Sequence, residues 1–226
     1  MSADDTPTRI TVLISGGGTN LQALIDAAST PALPNVQFIR VISNRKTAFG
    51  LQRAEKAGIP TSYHNLVGYK SRFPDPEGAS GKHTQARTEY DRDLATLVLK
   101  DKPDIVVCAG WMHILAPTFL NPLQEAGVPV INLHPALPGA FNGTHAIQRA
   151  HEAFQKGEVS KTGAMVHHVI SEVDMGSPIL VREVEIKKAE SVDELEERIH
   201  QVEWKIIVDG TRIAIEELRS KKNGRS

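Results

Sequence analysis

Asn132 and His134 stand at the end of an apolar run, Val128–Leu133 (VPVINL), just before Pro135. In a strand, alternate side chains share a face, so the carboxamide and the imidazole come together while Leu133 points the other way. An amide N–H₂ can donate to a developing oxyanion, and an imidazole can carry protons near neutral pH. A lone histidine at a strand end is usually structural. The paired Asn132 and the Gly/Pro-rich stretch Pro138–Gly143 favour function. A second set of acids and imidazoles lies in His167–Gly176 (HHVISEVDMG). His167 and His168 are adjacent in a strand and so face opposite ways; with no thiolate cluster, no metal site is expected. Asp174 is suited to orient or polarise an imidazole such as His134, or else simply forms the turn before Gly176.

A third feature is Ser15-Gly16-Gly17-Gly18-Thr19-Asn20, between an apolar strand and a helix. Glycines let a ligand approach the backbone, and a helix start offers free N–H groups and a positive dipole end to a phosphate. Leu21 breaks the dinucleotide spacing, and no Gly-Lys-Ser/Thr follows, so the loop is neither a Rossmann fingerprint nor a P-loop. There is no G-x-S-x-G nucleophile elbow. Cys108 lies inside an apolar strand and reads as core. Trp111, Met112, Ile114 and Leu115 follow the same strand and could line a flat apolar site or simply pack.

These residues must be placed by alternating strands and helices. Strands are expected at Arg9–Ser15, Val36–Ser43, Ile59–His64, Asp104–Ala109 and Val128–Leu133, and helices at Thr19–Ala28, Ala48–Ala57 and Thr84–Lys100. Asn65–Lys82 reads as a long surface loop. Then come a helix over Thr144–Gln155, two strands (antiparallel in one reading) at Thr162–Ile170 and Pro178–Ile186, and a long helix opened by Ser191 with Glu194 as a capping box. The expected class is α/β: a doubly wound, mostly parallel sheet with an antiparallel strand in the C-terminal half, flanked by helices. Ligands in such sheets bind at the carboxyl ends of strands, where strand order reverses. The chain of 226 residues is expected to be one domain, with 1–8 and 221–226 as flexible tails. An apolar content of 40% excludes bulk disorder, and a net charge of −1 argues against general nucleic-acid binding. With no signal peptide, no membrane span and a single cysteine, a cytoplasmic protein is expected.

Taken in order, the motifs resemble the phosphoribosylglycinamide formyltransferase family. The resemblance is carried by LISGGGTNLQALIDA, SNRKTAFGLQRAEKAGI, YDRDL, CAGWMHIL, VINLHPALPG, GTHAIQRA and VHHVISEVDMGSPIL, which span roughly residues 9–210. It implies the third step of de novo IMP biosynthesis: transfer of the formyl group of 10-formyltetrahydrofolate to the primary amine of glycinamide ribonucleotide, with no metal and no covalent enzyme intermediate. It implies that Asn132, His134 and Asp174 are catalytic; the residue chemistry agrees, with Asp174 expected to raise the His134 pKa so that protonated His134 and Asn132 stabilise the oxyanion. Gly18, Thr19 and Asn20 would hold the ribonucleotide phosphate, and Glu203 would help hold the ribonucleotide. Arg87, Met112, His113, Ile114, Leu115, Asn132 and Ile170, Ser171, Glu172, Val173 and Asp174 would meet the formylfolate, with His167 near the centre.

This chain departs from the family in three places. His113 stands where many members have Arg, so its backbone rather than its side chain is expected to meet the donor. LPGAFNG lacks the Lys and later Pro common in bacterial forms, and the loop before Arg87 is longer. These features resemble the stand-alone fungal forms. The expected partners are small molecules, without nucleic acid or membrane, on a monomer or weak homodimer. A methionyl-tRNA formyltransferase would be expected to carry a further basic C-terminal domain, and a formylfolate hydrolase an N-terminal regulatory one. A non-catalytic nucleotide-binding module would have no reason to group Asn132, His134 and Asp174.

Overall fold

The structure, a computed structural model, describes residues 6–74 and 84–223. The described residues divide into two compact units, one from 6–22 with 35–74 and 84–130, the other from 23–34 with 131–223.

The first unit holds β1 (Thr8–Ile14), the start of α1 (Thr19–Ala27), β2 (Val36–Ser43), α2 (Phe49–Lys56), β3 (Thr61–Tyr63), α3 (Val67–Arg72), α4 (Gln85–Lys100), β4 (Ile105–Cys108) and α5 (Pro117–Glu125). Its strands run in the order β3-β2-β1-β4, all parallel. Ile10, Val12, Leu13 and Ile14 of β1 are all fully buried, on both faces of the strand, as a parallel strand covered on both sides requires. Strand order reverses between β1 and β4. Their carboxyl ends carry the glycine loop and the segment after Cys108, the place where such sheets bind ligands.

The second unit holds β5 (Val130–His134) from Ile131 onward, α6 (Ala146–Gln155), β6 (Lys161–His168), β7 (Pro178–Glu185) and α7 (Val192–Asn223). Strand β6 lies between β5 and β7 and is antiparallel to both. The capping box at the start of α7 forms as expected. The Ser191 N–H donates to Glu194 Oε2 at 2.8 Å, and the Glu194 N–H donates to Ser191 Oγ at 3.3 Å. Gly210 lets α7 seat on β6, since a Cβ there would stand 2.7 Å from Val166 Cβ.

Two helices escaped the sequence reading. Helix α3 falls inside the stretch expected to be loop and buries Tyr69; residues 75–82 of that stretch lie outside those described. Helix α5 opens on Pro117, a favoured first helical residue, but Pro122 inside it hides the period of Phe119, Leu120 and Leu123. Of the residues expected to be tails, Thr8 begins β1 and α7 reaches Asn223. Among the described residues, no helix is long and apolar enough to cross a membrane.

Candidate active site

In the second unit, strand register assembles the catalytic candidates. Asn132 on β5 pairs directly with His167 on β6, and Leu133, on the opposite face, pairs with Val166. Asn132 Nδ2 lies 3.2 Å from His167 Nε2. His167 Nδ1 is 2.8 Å from the His168 carbonyl, which can only accept, so Nδ1 carries a proton. Nε2 then accepts from Asn132, which orients the carboxamide and leaves its second N–H available.

His134 is 4% exposed. Its Nδ1 lies 3.5 Å from Asp174 Oδ2, and Asp174 Oδ1 lies 3.5 Å from His167 Nε2, so one carboxylate lies beside both imidazoles; with His167 Nε2 accepting from Asn132, it is His134 that donates to it. Asp174 sits in the turn between β6 and β7 with φ 56°, a left-handed conformation that Asp tolerates better than most residues. Its Oδ2 also accepts the Gly143 N–H at 2.8 Å. Burial opposes ionisation of Asp174, but the His167 contact, the Gly143 N–H and the neighbouring imidazoles outweigh it, and its carboxyl is held below the usual range. Gly176 completes the turn where no side chain fits, because a Cβ there would stand 1.7 Å from the His168 carbonyl oxygen.

One expectation is corrected here. Asp174 does push the His134 pKa upward, but it is not the dominant influence. Burial pushes it down most strongly, and His167 and Arg149 add to that. Against them stand Asp174 and a hydrogen bond to the Phe141 carbonyl, and the net value lies below that of an ordinary histidine. The resting imidazole is therefore neutral at physiological pH. Its Nε2 is buried and has no hydrogen-bond partner in the structure.

Of the other residues expected in this unit, Ile170 is 43% exposed and Ser171 and Glu172 are exposed in the same connection, beside half-buried Val173. The Glu172 carbonyl accepts the Met175 N–H at 3.3 Å, closing the turn. Glu203 is buried on α7, with Oε2 3.8 Å from His200 Nε2.

In the first unit, the glycine loop and the segment after β4 are joined. The Ser15 N–H donates to the Gly110 carbonyl at 3.0 Å, and the Met112 N–H donates to Ser15 Oγ at 2.9 Å. Arg53 on α2 donates to the Gly17 carbonyl at 2.9 Å and to Gln22 Oε1 at 3.1 Å. Gly18 has φ 71°, and a Cβ there would meet Gly50 Cα at 2.5 Å. A branched residue at 18 would thus first displace α2, so it is no clean probe of phosphate binding. Asn20 is better, because it stands at the start of α1 and its side-chain N–H₂ is the group that can donate to a phosphate there.

Arg87, expected on the folate side, is committed within the protein. It pairs with buried Asp91 one turn on, at 3.2 Å, and donates to the Ile114 carbonyl at 2.5 Å. Asp91 Oδ2 also accepts the Ala116 N–H at 3.1 Å. Burial pushes the Asp91 carboxyl up to about 6, against the opposing pull of Arg87 and the Ala116 N–H. The pair clamps the chain at Ile114 and Ala116, leaving Met112 54% and Ile114 36% exposed. Asp91 and Ser15 were missed as site residues; the i, i+4 spacing of Arg87 and Asp91 was the available signal.

His113 packs edge-on against Tyr90 and Trp111, with ring centroids 5.7 Å away in each case. Burial, then Arg87, Arg45 and Lys70, push its imidazole down to about 4. The folded value lies below the roughly 6.5 of an unfolded histidine. Stability contributed by this ring is thus present above about pH 6.5 and lost as pH falls toward 4. His113→Phe keeps a ring there but takes no proton, so its melting temperature should fall less over that window than the wild type's. Parallel declines would contradict this assignment.

Residues 8–211 match the family described as formyl transferase. The chain belongs to that family. It is 52% identical over 200 residues to phosphoribosylglycinamide formyltransferase of Schizosaccharomyces pombe, covering 88% of this chain and 93% of that one. The phosphoribosylglycinamide formyltransferase of Saccharomyces cerevisiae is 45% identical over 214 residues, covering 93% and 98%. Among solved structures, glycinamide ribonucleotide transformylase 1 of Symbiobacterium toebii superposes with a TM-score of 0.77 at 32% identity, covering 93% of this chain and 89% of that one. The expected formyltransferase α/β fold is thereby established.

Proposed function

We propose that the chain, as one formyltransferase domain, moves the formyl group of 10-formyltetrahydrofolate to the amine of glycinamide ribonucleotide. The products are formylglycinamide ribonucleotide and tetrahydrofolate. The observation that carries the reading is the grouping of Asn132, His134 and Asp174, with Nε2 of a neutral imidazole left without a partner.

The chemistry follows from these groups. The amine nitrogen attacks the formyl carbon, and the carbonyl π electrons move onto oxygen. The free N–H of Asn132 donates to that oxyanion, and the nitrogen's extra proton passes to His134 Nε2, directly or through water. Asp174 stabilises the imidazolium so formed. Collapse of the intermediate breaks the bond between carbon and the folate N10, which takes the proton back from Nε2. Protons balance, and the enzyme returns to its resting state.

For the ligands, the Gly18–Asn20 loop takes the ribonucleotide phosphate on the N–H groups opening α1, and Glu203 helps hold the ribonucleotide. The donor meets Met112–Leu115, set by the Arg87–Asp91 clamp, and the Ile170–Asp174 connection. Nothing in this scheme calls on a nucleic acid, and it works on a monomer. Asn20→Ala should weaken ribonucleotide binding about fivefold, the value of one hydrogen bond, and leave donor affinity unchanged in calorimetry. Equal losses for both ligands would reassign the loop.

The function is tested by following donor absorbance with and without glycinamide ribonucleotide. Deformylation should require the ribonucleotide. Formate release at the same rate without it would mark a hydrolase instead.

A further inference from the structure

Arg149, on α6, has no part in the chemistry above, yet it braces the loop whose Gly143 N–H holds Asp174. Its Nη2 donates to the Phe141 carbonyl at 2.5 Å and to the Asn142 carbonyl at 2.8 Å. Its guanidinium lies 5.9 Å from the centre of the Phe141 ring. Phe141 has φ 51°, a left-handed conformation that costs a bulky residue energy and so needs outside support. The same loop is tied on its far side by the Gly143 N–H to Asp174 Oδ2 at 2.8 Å. That same Oδ2 lies 3.5 Å from His134 Nδ1, and His134 Nε2 has no partner, so the loop that Arg149 braces helps hold the carboxylate that faces Nδ1.

We propose that Arg149 is a positioning residue for formyl transfer: by holding the Phe141 and Asn142 carbonyls, it fixes His134 as the Nδ1–H tautomer and keeps Nε2 free to take the proton. The proposal rests on His134 being the proton carrier. A carboxylate held below the usual range accepts and does not donate, so Asp174, kept in place by the braced loop, selects Nδ1 as the protonated nitrogen. The charge of Arg149 acts in the same direction. Around His134 stand Asp174, which favours the imidazolium, and His167 and Arg149, which disfavour it; Asn132 on the same strand is neutral.

The test compares Arg149→Met and Arg149→Lys with the wild type. It reads kcat and both KM values across pH 5–9, and the ¹⁵N shifts of the imidazoles. Arg149→Met should lower kcat about tenfold to a hundredfold, the effect of losing charge-assisted hydrogen bonds, with each KM changed less than about threefold. Its acidic limb should move to higher pH, because a positive neighbour is gone. Arg149→Lys should restore the limb but only part of kcat, since a point charge does not span two carbonyls as the planar fork does. The His134 ¹⁵N pattern should show Nδ1–H in the wild type and a mixture in Arg149→Met. If Arg149→Met does not fold, Arg149→Gln carries the same comparison, keeping one donor without the charge. A lower melting temperature with kcat, pH limb and tautomer unmoved would show a purely structural brace and overturn the proposal. If His134→Ala itself keeps turnover, the reading of the site fails instead, and the two failures are told apart.

Discussion

His134→Ala is expected to lower kcat by about 10²–10⁴, the usual contribution of a positioned proton carrier, while the folded state and both ligand affinities survive. The ring is almost completely buried, with Asp174 beside its Nδ1 and Nε2 left without a partner. Asn132→Ala should cost roughly 10²–10³, the loss of one oxyanion donor. Asp174→Asn should fall with His134→Ala, because it removes the charge that stabilises the imidazolium. The wild-type pH profile carries a sharper expectation. His134 acts as a base and its pKa is lowered, so kcat/KM should be on its plateau at pH 7 and should decline only below the usual histidine value. A decline that begins above pH 7 would mean that the imidazolium is the resting form.

The second large effect concerns a residue that does no chemistry. Gly176→Ala would drive a methyl group to 1.7 Å from the His168 carbonyl oxygen, the atom that fixes the His167 ring. The turn holding Asp174 must then move. Overpacking of this kind costs about 1–3 kcal/mol, or roughly 2–12 °C in melting temperature at this chain length. Turnover should fall with it, beyond the loss of folded protein, because Asp174 is displaced from both imidazoles. Gly68→Ala is the control. A Cβ there meets nothing within 4 Å in helix α3, so stability should hold or rise slightly. Calorimetry beside steady-state kinetics checks both; a Gly176→Ala enzyme with wild-type stability and turnover would show that the turn is not a constraint on the site.

Much of the site was legible because strand geometry is strict. Side chains alternate with period two, so Asn132 and His134 could be put on one face, and His167 and His168 on opposite faces, from spacing alone. The structure bears this out: His167 meets Asn132 and Asp174, while His168 reaches Glu217 at 3.4 Å. The β-branched runs marked β1 and β4, since strands buried on both faces have little freedom in composition. Helices α3 and α5 were not legible. The first is six residues long, too short for a period, and the second carries an internal proline. The direction of the His134 pKa could not be read either, because burial outweighs the charge of Asp174 and burial depends on the packed fold. Ser15 acts through the backbone N–H of distant Met112, and Arg149 through carbonyls of the loop before its helix, and such contacts leave no pattern in residue types.

The most direct test of formyl transfer through His134 is a single turnover with a donor labelled with ¹³C in the formyl group, in excess enzyme, analysed by mass spectrometry for the wild type and His134→Ala. The wild type should place the label quantitatively in formylglycinamide ribonucleotide, with none in formate, and His134→Ala should bind both ligands yet leave the label on the folate. Label released as formate by the wild type, or transferred at the wild-type rate by His134→Ala, would contradict it.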